Sequence, residues 1–208
     1  MNAQREDFRM RAKEVIAYIR WIEANESHLG MELVSTIRAS SLLLIYNLVE
    51  SSARSLTQVI VDLVDTQRLR LPDLSPKLRR EFLRQAWNKN EHYRLVESLD
   101  DNSYEVTQNY DPSELFSGNV DSRKISARLE ALGCGKVDFG KVLKINSRLL
   151  VDLKENRNDL AHGVKSFSEV GSNITVNELK EIFVVAFYTI RYALRVLSEM
   201  VARNEHLK

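Results

Sequence analysis

An all-α helical bundle is the fold class that the chain predicts, and three observations carry it. Only seven Gly and three Pro punctuate 208 residues, which favours long helices over many short strands. Apolar residues recur at helical spacing through several long stretches. Cap signals stand where those stretches begin and end. The length supports one substantial core, so a single domain over residues 1–208 is expected, built from five main helices.

The first helix is expected from about Arg5 to His28, with Phe8, Val15, Ile19 and Ile22 as its apolar stripe and Gly30 as its stop. The second runs from about Glu32 to Leu69 and is bounded by Pro72 and Pro76. Ser75-Pro76 reads as a cap followed by proline at the first helical position, opening a third helix to about Leu99. Residues 100–120 lack helical period and hold Asp-Pro and Ser-Gly-Asn, so a long loop is expected, with a short strand at Tyr104–Tyr110. Asp121 caps a short helix ending at Gly133. The fourth long helix is read from Phe139 to Ala161, with Val142, Ile145, Leu149, Leu153 and Leu160 inward and Gly163 as a left-handed stop. A polar loop follows. Thr175-Val176-Asn177-Glu178 is a capping box that opens the last helix, to about Asn204. Its inward residues are Leu179, Ile182, Phe183, Ala186, Ile190, Ala193, Leu197 and Met200.

Composition narrows the function classes. A hydrophobic share of 44% with 28% charged residues is that of a globular chain. A net charge of +1 favours no class of partner, so any attraction for nucleic acid must come from local clustering. Cys134 stands alone, which rules out an intrachain disulfide and fits a reducing cytoplasm. It reads as a small packed residue between Gly133 and Gly135. The charged first fourteen residues lack a signal-peptide core, and the longest apolar runs, 42–46 and 182–190, fall far short of a bilayer span. No membrane association is expected.

Chemistry concentrates at Arg157-Asn158-Asp159-Leu160-Ala161-His162-Gly163, the end of the fourth long helix. Arginine grips a phosphate in two-point geometry, and histidine moves protons near neutral pH. Metal-independent phosphodiester cleavage needs both. The base takes the ribose 2′-hydroxyl proton, the guanidinium stabilises the charge on phosphorus-bound oxygen, and an acid protonates the leaving 5′-oxygen. DNA lacks that nucleophile. Five residues of helix separate the pair by about 140°. Two routes bring them together: His162 sits where the helix unwinds, or two copies of the motif face each other across a two-fold axis. Asn158, one turn before His162, is placed to hold the imidazole. The competing reading is an ordinary basic helix end, in which Arg157 pairs with nearby carboxylates.

Arg157 to His162 resembles the Arg-x4-6-His signature of the HEPN superfamily (higher eukaryotes and prokaryotes nucleotide-binding), and Asn158 fits that family's polar residue after the arginine. Two further segments resemble one bacterial branch of it: Leu44-Ile45-Tyr46-Asn47-Leu48-Val49-Glu50-Ser51, and Phe116-Ser117-Gly118-Asn119-Val120-Asp121-Ser122-Arg123-Lys124-Ile125. The resemblance implies a helical bundle that dimerises and often acts as a ribonuclease in toxin–antitoxin or phage-defence modules. Its site would be Arg157 and His162 from both protomers, with RNA as substrate and an antitoxin protein as a further partner. Some relatives only bind nucleotides or partner proteins, so a non-catalytic adaptor is the competing function.

Tyr46, Asn47 and Glu50 put polar groups inside an apolar helix. Glu50 either contacts the active-site arginine or lines the cleft, or it locks the second helix to the fourth by a hydrogen bond. Lys77, Arg80 and Arg84, with Arg79 beside them, form one basic row, and Lys141, Lys144 and Arg148 a second. Either row can follow an RNA backbone, although a solvated face paired to acids such as Glu81, Asp152 and Glu155 is the simpler reading. Trp87 and Tyr93 read as core or interface anchors. His28, His92 and His206 show no metal-ligand spacing, and no Gly-rich phosphate loop occurs. Neither a metal nor a cofactor is expected.

Overall fold

The computed structural model describes residues 2–88 and 119–208, with the backbone alone for 85–88. Eight α-helices stand among the described residues: α1 (Asn2–Asn25), α2 (Met31–Thr66), α3 (Pro76–Asn88), α4 (Ser122–Ala131), α5 (Phe139–Leu143), α6 (Leu149–Ala161), α7 (Phe167–Ser172) and α8 (Val176–Ala202). No strand occurs among these residues; one isolated antiparallel bridge joins Leu74 to Leu207. The all-α expectation therefore holds. The rest of the third helix, the loop at 100–120, the strand at 104–110, His92 and Tyr93 fall wholly or mainly outside the described residues, as does the Trp87 side chain.

By length and composition α2 is the one described helix that passes as a candidate membrane span. Its role in the bundle is central: α1, α6, α7 and α8 all pack on it. Leu42, Ile45, Tyr46, Val49, Ala53, Leu56 and Ile60 are buried along it, and each large aliphatic side chain removed from water contributes about 1.5–3 kcal/mol. The capping box of α8 forms as expected, with Thr175 and Glu178 each bonding the other's backbone N–H. All eight of its expected inward residues are buried. Phe187 of α8 stacks on Phe8 of α1 at 5.3 Å between ring centroids.

Several boundaries differ from expectation. Gly30 has an extended backbone and serves as the N-cap of α2. α2 ends at Thr66, and left-handed Arg68 (φ 51°) turns the chain, so the helix stops ahead of both prolines. Ser75 precedes α3, but its hydroxyl is buried without a partner among the described residues and makes no cap. The expected helix over 139–161 is two helices. Lys144 adopts a left-handed conformation (φ 53°), the Asn146 side chain accepts from the Arg148 N–H at 3.2 Å, and α6 starts only at Leu149. Asn146-Ser147 offers the backbone a turn in place of a helix. Val142, expected inward, is 50% exposed. The polar loop after Gly163 contains α7, opened by a second capping box between Ser166 and Glu169.

Two buried polar features yield stability predictions. Glu81 of α3 accepts from Arg128 of α4 and Arg84. Burial pushes the Glu81 carboxyl upward, but the Arg84 and Arg128 guanidiniums outweigh it and hold the group below its ordinary value. Arg128→Met is expected to cost about 3 kcal/mol, because a buried carboxylate loses a partner. Arg128→Met with Glu81→Leu is expected to recover most of it, measured by urea unfolding.

At the other end of the chain, the Ser75 N–H donates to the His206 carbonyl at 2.9 Å and the Lys208 N–H to Asp73 at 3.0 Å. This closes the C-terminal residues onto the start of α3. His206 is buried with no partner for either ring nitrogen among the described residues, and burial pushes its pKa down. The unfolded chain therefore binds this proton first. Stability is expected to fall as pH drops below about 6.5, with a shallower fall in His206→Leu, read from thermal midpoints across the pH range.

Candidate functional site

Three segments far apart in the sequence meet at the outer end of α6. That helix buries Leu150, Leu153 and Leu160, which fixes the direction of the side chains between them. Its end is closed by a Schellman turn. Gly163 is left-handed (φ 67°), the Gly163 N–H donates to Leu160 at 3.3 Å, and the Val164 N–H donates to Asp159 at 2.8 Å. Lys165 pairs with Asp159 at 2.7 Å across the same turn.

Arg157 is half-buried and turned toward α2. Its guanidinium carbon lies 5.0 Å from the centre of the Tyr46 ring, a cation–π arrangement. Its Nη1 donates to Asn158 Oδ1 at 3.2 Å. Asn158 Nδ2 in turn donates to Asn119 Oδ1 at 3.0 Å. The next residue, Val120, donates its N–H to the Tyr46 hydroxyl oxygen at 3.0 Å. The four contacts close a ring through Arg157, Asn158, the 119–120 backbone and Tyr46. Burial pushes the Tyr46 pKa up and nearby Glu50 adds to the rise, while the Val120 N–H opposes it.

One turn earlier, Lys154 reaches Asp121 at 3.3 Å. Asp121 caps α4 by accepting from the Arg123 and Lys124 N–H groups, and its carboxylate also pairs with the Arg123 side chain at 3.1 Å. Burial raises the Asp121 pKa, but the Lys124 N–H, Arg123 and Lys154 together bring it below the ordinary carboxylate value. The 119–121 segment is thus tied to α6 at two successive turns.

His162 is the C-cap residue of α6 (φ −96°, ψ 2°) and is exposed. Within the chain, then, Arg157 faces the bundle while His162 lies exposed at the end of the helix. Asn158, expected to hold the imidazole, engages Arg157 and Asn119. Glu50, expected to bond the arginine or the fourth helix, pairs with Arg54 one turn along its own helix at 2.6 Å; Tyr46 supplies the contact to Arg157. Asn47 is exposed in the groove between α1 and α2, beside Asp7, Met10, Arg11 and Leu44. Tyr46, Asn158 and Arg157 are brought together, and Asn47 is not.

The basic rows fare differently. Lys77 and Arg80 are exposed on α3, Arg84 pairs with Glu81 at 3.0 Å, and Arg79 donates to the Leu71, Pro72 and Leu74 carbonyls. Lys141, Lys144 and Arg148 do not form one helical row, because the helix breaks at Lys144; Lys141 lies 3.8 Å from Asp138 and Arg148 3.8 Å from Asp152. Cys134 is packed against the core, and burial, aided by Glu205, pushes its thiol up to about 12. Among the described residues no three His, Cys, Asp or Glu side chains gather around a common metal position.

Sequence reasoning did not single out Asn119, Lys154 or Arg128. Asn119 and Asp121 lay inside a recognised segment, but nothing local marks their partners on α6. A family model, MAE_28990-like HEPN, matches residues 3–205. No curated protein and no solved structure matches the chain. With the family model spanning nearly its whole length, the chain belongs to the MAE_28990-like HEPN family.

Proposed function

We propose that this HEPN protein is a metal-independent endoribonuclease in which two protomers bring Arg157 and His162 from each copy to one scissile RNA linkage. The observation that carries this reading is the contrast at the end of α6: a guanidinium fixed against Tyr46 and an exposed imidazole five residues on. One imidazole removes the 2′-hydroxyl proton, the 2′-oxygen attacks phosphorus, and the guanidiniums stabilise the charge on the non-bridging oxygens. The imidazole of the second copy protonates the departing 5′-oxygen. The products are a 2′,3′-cyclic phosphate and a 5′-hydroxyl. Single-stranded or loop RNA fits best, since its backbone is free to reach in-line geometry.

The cellular setting proposed is a cytoplasmic toxin or phage-defence effector restrained by an antitoxin protein. The test is digestion of RNA by the purified chain in excess chelator, with analysis of the ends. Cyclic phosphate and 5′-hydroxyl ends with untouched DNA are expected. Absence of cleavage, together with harmless overexpression in a host lacking any antidote, would leave a helical adaptor instead.

A further inference from the structure

The contacts around Arg157 have a direction. Arg157 is donor only, so Asn158 must present its oxygen to it. That leaves the Asn158 amide nitrogen to donate onward, and Asn119 receives it through its own oxygen at 3.0 Å. The Tyr46 face meets the same guanidinium from α2 without taking up an N–H donor. The Val120 N–H anchors the receiving segment to the Tyr46 hydroxyl. Asn119 itself is exposed, and its side chain has little to contribute to the core.

We propose that Asn119 is a positioning residue which, with the Tyr46 ring, holds the Arg157 guanidinium in the plane that receives a phosphate. The proposal rests on the reading of Arg157 as the phosphate-gripping group. An arginine held in advance does not have to be ordered when RNA arrives or when charge develops on the phosphoryl oxygens. Asn119 acts through Asn158 and touches no substrate. The donor direction sets a specific substitution pattern: Asn119→Asp keeps the acceptor that Asn158 needs, whereas Asn119→Ala removes it.

The experiment follows the guanidinium itself. Rotation about the Arg157 Cζ–Nη bonds is measured by nitrogen-15 side-chain NMR on the full chain, beside steady-state RNA cleavage and thermal unfolding. Asn119→Ala is expected to speed that rotation and lower kcat by about tenfold while KM and the unfolding midpoint stay near wild type. Asn119→Asp is expected to retain both wild-type values, and Tyr46→Phe, which keeps the ring and loses the tether, to fall between them. Unchanged rotation and rate in Asn119→Ala would overturn the proposal, as would equal loss in Asn119→Asp. If rotation responds as expected but the wild-type chain cleaves no RNA, the positioning role stands and the ribonuclease reading falls.

Discussion

His162→Ala is expected to lose RNA cleavage by about 10²–10⁴-fold, the range of a general acid–base group, while the unfolding midpoint hardly moves. The side chain is exposed at the helix end, and surface changes of this kind stay within about 0.5 kcal/mol. The imidazole therefore has little structural role to confound the measurement. Arg157→Lys sharpens the comparison. It keeps the charge but loses the planar two-point grip and the stacking on Tyr46, so its rate is expected to fall nearly as far as that of Arg157→Ala. A His162→Ala protein that cuts RNA at the wild-type rate would remove this residue from the chemistry.

Gly171→Ala carries a large expected cost to stability, equal to that of Arg128→Met. α7 crosses α2 so closely that a methyl group built on Gly171 would meet the Ser35 carbonyl oxygen at 1.7 Å. The obstructing atom is backbone and cannot rotate away. The two helices must separate, which withdraws Val170 from the core; about 3 kcal/mol is expected for overpacking of this severity. For a chain of this size that lowers the thermal midpoint by about 6–12 °C. α7 begins five residues after His162, so the variant is also expected to cleave RNA more slowly even where it remains folded.

The elements that were legible in the sequence are those whose causes are local. The α8 capping box, its inward stripe, the Asp121 cap and the left-handed Gly163 each depend on residues within a turn or two of one another. The same logic marks Ser166-Phe167-Ser168-Glu169 as a capping box, which the polar character of the segment concealed. The break between α5 and α6 is of another kind. Val142, Ile145 and Leu149 continue a helical period, but Phe139 is buried and meets Tyr192 of α8 edge-on at 6.1 Å. Asn146 then turns the chain, so tertiary anchoring and turn chemistry overrode the periodicity.

At the candidate site, Arg157 and His162 stand out by chemical type and spacing; the family match over residues 3–205 shows the HEPN family and does not mark these two residues. Their supports are less visible because they are distant in sequence. Tyr46 and Val120 are 74 residues apart, and Asn119 and Asn158 are 39 apart. No periodicity links such pairs. Glu50 drew attention as a charge in an apolar helix, yet Arg54 answers that charge within the same helix; the uncharged Tyr46 beside it meets the Arg157 guanidinium.

The most direct test of a site shared between protomers is cross-linking through residue 162. His162→Cys places a reactive thiol at the exposed end of α6, and Cys134 does not compete, since burial holds its thiol at about 12 and leaves almost no thiolate. Treated with a short bis-maleimide at the concentration where the wild-type chain cleaves RNA, this variant is expected to become a covalent dimer. A chain that sediments as a monomer under those conditions and yields no cross-linked species would contradict the shared site.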